Sequence, residues 1–127
     1  MFVVLLCGLT MAGFAQKKSV KPESPHAGIA KDLITSLSNS DFEHAWSLYD
    51  ESIKKLLGVE QIKKTWQDTE LRNGKFVKIA RTSSEVQDGI EVVYTSCHFQ
   101  NGKVKFKTTI NGNKEITSFL ILKETQK

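Results

Sequence analysis

Residues 90–110, IEVVYTSCHFQNGKVKFKTTI, decide the fold of this chain because they predict a β-hairpin with little freedom. The dipeptide Asn101-Gly102 favours a type I′ turn, and it lies between two runs in which the residues alternate in character. Closing the turn there pairs Gln100 with Lys103, and this register fixes every other cross-strand pair.

The predicted hairpin has one apolar face and one polar, cationic face. The apolar face collects Val93, Thr95, Cys97, Phe99, Val104, Phe106, Thr108 and Ile110. The other face collects Val92, Tyr94, Ser96, His98, Gln100, Lys103, Lys105, Lys107 and Thr109. We expect the apolar face to line a core or a pocket, with no acid, base or metal ligand pointing inward except the weak candidate Cys97. This composition disfavours a buried reaction centre.

The rest of the chain predicts an α+β fold, with three N-terminal helices packed on a curved four-stranded antiparallel sheet. The first helix starts near Pro25. The second opens with Ser40 and Glu43 in capping-box spacing and ends at Gly58, and the third ends at Asn73-Gly74.

The four predicted strands are Phe76–Val86, Ile90–Phe99, Lys103–Ile110 and Glu115–Leu122. The last strand has two possible registers. One turns Phe119 and Ile121 inward, and the other turns Ile116, Leu120 and Leu122 inward. Because Phe119–Leu122 is apolar on both faces, we expect its outside to be covered, and a homodimer packed through this strand is one explanation.

The N-terminal segment predicts export. Residues 1–15 carry no charge, and an apolar run at Phe2–Leu9 precedes small residues and then a polar stretch, as in a secretory signal peptide. The run is shorter than the about 20 residues of a membrane span. An uncleaved anchor and a buried N-terminal element are the alternatives. After cleavage we expect a flexible tether over residues 16–25 and a single domain over 26–127, secreted or periplasmic, with no membrane span.

Composition narrows the classes of partner and cofactor. The formal net charge of +4 is spread along the chain, so nucleic acid is not an expected partner. His26, His44 and His98 lack metal-ligand spacing and are expected to face solvent. With no glycine-rich phosphate loop and no CxxC motif in the sequence, we expect no metal and no cofactor.

Short motifs spread over residues 28–122 carry a family resemblance. They are Asn39–Phe42 with Ala45, Tyr49-Asp50, Ile53-Lys54, Val59–Ile62, Trp66, Gly74–Phe76, and Val92–Tyr94 leading to Cys97 and Phe99. With these motifs the chain resembles the cone-shaped nuclear transport factor 2-like (cystatin-like) superfamily and, more closely, the small exported bacterial family called domain of unknown function 3887. The superfamily includes ketosteroid-isomerase-like and polyketide-cyclase-like enzymes that place acids or histidines in the cone.

The leading hypothesis is a non-enzymatic domain that binds a small hydrophobic ligand or a protein partner. The expected pocket residues, which would equally serve to fill a core, are Trp46, Tyr49, Asp50, Trp66, Cys97, Phe106 and Thr108. The alternative is an isomerase- or cyclase-like enzyme in which a buried Asp50 with a raised pKa transfers a proton, assisted by Tyr49 or Arg81.

A basic stripe on the outer face of the predicted sheet consists of His98, Lys103, Lys105 and Lys107. It is either a solvated face that discourages sheet-to-sheet association or a dock for an acidic partner, an anionic glycan or a phospholipid headgroup.

Overall fold

The computed structural model describes residues 24–122 of the 127-residue chain. Its elements are α1 (Pro25–Ser38), α2 (Phe42–Ser47), α3 (Glu51–Leu56), α4 (Val59–Asn73), β1 (Phe76–Gln87), β2 (Ile90–Phe99), β3 (Gly102–Ile110) and β4 (Ile116–Leu122). The strands form one antiparallel sheet in the order β1-β2-β3-β4. The α+β prediction is therefore confirmed. The predicted signal peptide and most of the predicted tether lie outside the described residues.

The two faces of the β2–β3 hairpin agree with the prediction, because the apolar set is buried and the cationic set is half-buried to exposed. The predicted register is wrong by one position on each strand. Phe99 pairs with Gly102, and His98 pairs with Lys103 instead of Lys105. The assignment of residues to the two faces remains correct, because the two one-residue shifts add up to two residues and side-chain direction repeats every two residues.

Long-range hydrogen bonds explain the register of this hairpin. Its loop is Gln100-Asn101, whose backbone N–H groups donate to the carbonyls of Lys75 and Asn73, at 2.9 and 2.8 Å. Neither loop residue has a positive φ, so the predicted type I′ turn at Asn101-Gly102 does not form. The backbone at the end of α4 therefore determines the conformation of this loop, and the local turn preference of Asn101-Gly102 does not.

A turn with type I′ geometry occurs in the β1–β2 hairpin. Asp88 and Gly89 have φ of 53° and 79°, and they connect the pair Gln87–Ile90.

The second predicted helix is two short helices, so the described residues form four helices instead of three. The interruption covers residues 48–50, whose backbone joins β4: Asp50 N–H donates to Ile116 O, and Ile116 N–H donates to Leu48 O, each at 2.9 Å. The N-cap of α2 is also Asp41, whose side chain accepts from His44 N, and not the predicted Ser40.

The two candidate registers of the last strand are both partly realised. Ile110 pairs with Ile116 and Thr109 pairs with Ser118, which leaves Thr117 as an extra residue in β4. This bulge changes which residues face inward, so Ile116 is fully buried and Phe119 also packs against the core. Leu120 remains 49% exposed and Ile121 43% exposed.

The core lies between the inner face of the sheet and the helices. It contains Ala27, Ala30, Leu33, Ile34, Leu37, Ala45, Tyr49, Ile62, Trp66, Val93, Cys97, Phe99, Val104, Phe106, Ile110 and Ile116. Phe106 lies at its centre. Its ring stacks on Trp66 of α4 at 6.0 Å and on Phe119 of β4 at 5.1 Å, which connects α4 to the edge of the sheet.

The α4–β1 junction allows a direct test of this packing. Gly74 has φ +83°, and a Cβ there would lie 2.8 Å from Gln100 Cβ. We expect Gly74→Ala to destabilise the fold by about 1–3 kcal/mol, because it adds backbone strain and pushes the hairpin loop away. Gly28→Ala, inside α1 with nothing within 4 Å, is the control and should stabilise by about 0.5–1 kcal/mol. Urea unfolding measures the stability of both variants. A Gly74→Ala variant as stable as the unaltered protein would contradict the close approach of Gly74 to Gln100.

Candidate functional site

A half-enclosed cavity of about 90 Å³ lies beside the core. Its lining residues come from α1, the break between α2 and α3, the end of α3, α4 and β4: Leu37, Tyr49, Leu57, Ile62, Thr65, Trp66, Thr69, Phe119 and Ile121. Most of the lining is aliphatic or aromatic. The cavity exists because the β4 bulge turns Phe119 and Ile121 towards α4, while the break after α2 brings Tyr49 to the same place.

The cavity contains few polar groups. Tyr49 is 5% exposed, and burial raises the pKa of its hydroxyl above the ordinary value. The hydroxyl of Thr69 donates to Thr65 O at 2.8 Å, so its proton is already used. A ligand would therefore meet a mainly apolar wall, the neutral phenol of Tyr49 and the hydroxyl of Thr65.

Two of the predicted pocket residues, Tyr49 and Trp66, line this cavity. Cys97, Phe106 and Thr108 are fully buried in the inner face of the sheet, and burial raises the pKa of the Cys97 thiol to about 12. These three residues contribute to the core and do not line the cavity.

Trp46 has a structural contact of its own outside the cavity. Its indole Nε1–H donates to Leu57 O at 2.7 Å, and the Lys54 ammonium lies 5.2 Å from its ring centroid. The Trp46 side chain therefore binds the backbone at the C-terminal end of α3.

Asp50 is the N-cap of α3 and does not line the cavity. Its Oδ1 accepts hydrogen bonds from the backbone N–H and the hydroxyl of Ser52, at 2.6 and 2.8 Å. These bonds hold the pKa of Asp50 below its ordinary value. The direction is opposite to the raised pKa that a proton-donating acid in an apolar cavity would need.

The cavity residues that the sequence interpretation missed on α4 carry a helical signal. Ile62, Thr65, Trp66 and Thr69 follow the i, i+3, i+4, i+7 spacing of one helix face. A prediction that uses only the apolar members of this face does not include Thr65 and Thr69. On β4 the sequence leaves two registers open, one of which turns Phe119 and Ile121 inward, because the bulge depends on pairing with β3.

A second, wider groove of about 450 Å³ lies beside the end of α4 and the loop of the β2–β3 hairpin, and Trp66 lines both it and the cavity. Leu71, which is 84% exposed, stands at its border, and Glu70 lines it. The Glu70 carboxylate accepts from Phe76 N at 3.1 Å, so this acid holds the chain after α4.

The basic stripe lies on the outer face of the sheet as predicted, with Lys103 exposed and His98, Lys105 and Lys107 half-buried. The structure adds two basic residues of β1 to this face. Lys78 pairs with His98, and Arg81 pairs with Ser96.

A buried acid on β2 contradicts the expectation that no acid points inward from the hairpin. Glu91 is 4% exposed and lies on the buried face. Its Oε2 accepts from the Ser24 hydroxyl, and its Oε1 lies 2.8 Å from His26 Nδ1, outside hydrogen-bond geometry. His26 is therefore not solvent-facing as predicted. The signal was present, because residues 91, 93, 95 and 97 share one face of the strand.

This cluster attaches the start of α1 to the sheet. The Ser24 hydroxyl, besides donating to Glu91, accepts from Ala27 N at 3.1 Å as the helix N-cap. A carboxylate at a helix N-terminus is also favoured by the helix dipole. The residues thus stabilise the point at which the preceding chain enters the domain.

We expect Glu91→Gln to destabilise the fold by about 1–3 kcal/mol, because it removes the buried charge that Ser24 and His26 contact. Glu85→Gln is the matched control, since Glu85 is an exposed acid of β1, and it should change stability by less than about 0.5 kcal/mol. Urea unfolding at neutral pH measures the difference. Equal stabilities of the two variants would show that the cluster does not hold α1.

Comparisons with known proteins agree with the fold. A solved structure, the "NMR structure of protein from Ruminococcus gnavus ATCC 29149", matches with a TM-score of 0.59 and 15% identity, covering 74% of this chain and 85% of that one. This likeness concerns the fold alone. No curated protein matches the chain.

None of the helices within residues 24–122 is both long and apolar enough to cross a membrane. The family described as "Protein of unknown function (DUF3887)" matches residues 30–119, most of the chain. The chain therefore belongs to the DUF3887 family.

Proposed function

We propose that this protein is a non-enzymatic binding domain that takes one small, mainly apolar group into the cavity between α4 and β4. The observation that carries the proposal is the half-enclosed, mainly apolar cavity that Tyr49, Trp66 and Phe119 help to line. A ligand that accepts a hydrogen bond from the Tyr49 hydroxyl would add one polar contact to the apolar contacts of the lining.

The volume of the cavity restricts the ligand. Sites for drug-sized molecules usually measure about 300–1,000 Å³, and an engineered apolar cavity of about 150 Å³ admits benzene. A cavity of about 90 Å³ that is open at one side fits a branched alkyl group or part of a ring. The ligand is therefore small, or it inserts one apolar group and leaves the remainder outside.

The lining favours binding over acid–base chemistry. Its polar side chains are the hydroxyls of Tyr49, Thr65 and Thr69, which remain neutral near pH 7. The isomerase-like alternative would need Asp50 in the cavity, and its carboxylate is bonded to Ser52 instead.

We also propose, from the order of helices followed by an antiparallel sheet, that the domain has the cone of the nuclear transport factor 2-like superfamily. The charge-free segment 1–15 supports a secreted or periplasmic location.

Filling the cavity tests the ligand proposal. Thr65 is exposed and lines the mouth, so Thr65→Phe adds a ring there without disturbing the core. We expect the variant to lose binding of 3-methyl-1-butanol and benzene, followed by NMR through the Trp66 indole N–H and the methyl groups of Ile62. Lys64→Phe, one residue earlier and 76% exposed at its side chain, is the matched control and should bind as the unaltered protein does.

Tyr49→Phe separates the contribution of the hydroxyl to binding from that of the apolar lining. The variant should bind the alcohol about 2–10-fold more weakly, because it loses one hydrogen bond, and it should bind benzene unchanged. Binding that persists in Thr65→Phe would place the probes elsewhere and contradict the proposal.

A second candidate, a homodimer packed through β4, is favoured by one observation. β4 is an edge strand with apolar side chains on both sides, and Leu120 and Ile121 are each more than two-fifths exposed. Exposed apolar edges pair readily with another strand, so a second copy of the chain is a suitable partner.

One native mass spectrum of protein collected from its producing cells tests ligand, assembly and export together. We expect a mass that lacks residues 1–15 and carries one small additional molecule per chain. A doubled mass that Leu120→Lys abolishes would support the homodimer. A chain that retains residues 1–15 would contradict cleaved export.

A further inference from the structure

The outer face of the sheet concentrates the positive charge of the domain. This face, defined as the outward side chains of β1–β4, carries five basic residues and one acid. The basic residues are Lys78, Arg81, Lys103, Lys105 and Lys107, and the acid is Glu85. The rest of residues 24–122 carries eight basic and eleven acidic side chains. A chain with a modest net charge of +4 therefore has a strongly asymmetric domain.

The cations of this face are distributed in two dimensions. Neighbouring strands lie about 4.8 Å apart, and alternate residues along a strand lie about 6.7 Å apart. Lys78 and Lys103 flank His98 across the strands, and Lys103 and Lys107 lie two such steps apart along β3. The charges thus cover a patch of about 10 by 13 Å on a sheet face that the described helices leave open.

Lys78, Arg81, Lys103 and Lys107 have no acidic side chain within 4.0 Å in the described part of the chain. Glu85 lies near the far end of β1, in register with Val92. These four cations can therefore interact with an external negative surface. The patch is therefore complementary to an anion that offers many charges at once.

Apolar side chains border the cations on the same face. Leu120 is in register with Lys107 and Leu122 with Lys105, so the β4 side of the patch is aliphatic. Tyr94 pairs with Lys107 from the other side. Cations beside aliphatic and aromatic groups suit the boundary between headgroups and acyl chains in a bilayer. A purely polar acidic partner would gain nothing from the leucines.

We propose that the outer face of the sheet docks on the surface of an anionic phospholipid bilayer. The lysines contact the headgroups, and the leucines of β4 lie at the acyl boundary. The more acidic helical side is turned away from the lipid. The α4–β4 cavity lies on the inner side of the sheet, so its occupancy does not depend on this contact.

Charge-matched variants test the proposal by co-sedimentation of the full chain with vesicles. One triple variant is Lys78→Gln, Lys103→Gln and Lys107→Gln. Its control is Lys55→Gln, Lys64→Gln and Arg72→Gln, which removes the same charge from exposed positions of α3 and α4. The vesicles contain phosphatidylcholine alone or with 30% phosphatidylglycerol. The difference between them isolates the charge-dependent part from any insertion of the apolar run Phe2–Leu9.

We expect the anionic lipid to increase binding of the unaltered chain, and the sheet triple variant to lose about 100-fold, since each lysine at a charged surface contributes about fivefold. The helix triple variant should stay within about twofold, because charges more than about 10 Å from the lipid are screened at 0.1 M salt. Circular dichroism checks that both variants fold.

Four results would overturn the proposal. One is equal binding to the two kinds of vesicle, and another is an equal loss in the two triple variants. The third is binding of soluble polyglutamate without binding of vesicles, which would identify an acidic protein as the partner. Self-association that only the sheet triple variant abolishes, with no vesicle binding, would likewise replace the lipid with a second copy of the chain.

Discussion

The two backbone hydrogen bonds between Ile116 and residues 48–50 are the constraint on which the remaining architecture depends. They interrupt what would otherwise be one amphipathic helix, because the backbone of Leu48 and Asp50 is used by the sheet. The interruption makes Asp50 an N-cap and directs Tyr49 into the core at the edge of the cavity. The same bonds hold the start of β4, from which the bulge at Thr117 follows. The cavity is a consequence of this join between helix and strand.

The helix ends and the strand faces that the sequence predicts correctly depend on residues close together in the chain. Pro25 after Ser24 starts α1, Gly74 ends α4, and the two-residue alternation separates the faces of the central hairpin. Each of these features depends on residues that are close in the chain, so the pattern contains the necessary information. The α+β class follows from their order.

The features that the sequence did not predict depend on partners far along the chain. Asn101-Gly102 has the composition of a type I′ turn, but the carbonyls of Asn73 and Lys75 hold the loop one residue earlier. The helix break depends on Ile116, which lies more than sixty residues after Leu48. Local preferences differ by about 1 kcal/mol, and two long-range backbone bonds outweigh them. The candidate site shows the same division, because Trp66 was predicted from its helix face while Phe119 and Ile121 required the bulge.

A buried acid such as Glu91 can serve either catalysis or the stability of the fold. Its burial suggests chemistry, yet the residues around it are the cap of α1 and a histidine of the same first turn. The acid belongs to the attachment of the helix. The lining of the cavity contains neither Glu91 nor Ser24 nor His26, and its side chains are neutral near pH 7. A domain arranged in this way has ionic groups where α1 attaches to the sheet, hydroxyl and apolar groups around the cavity, and cations on the outer face of the sheet. Because the three sets of residues do not overlap, a substitution in one set leaves the other two intact, and each role is experimentally separable.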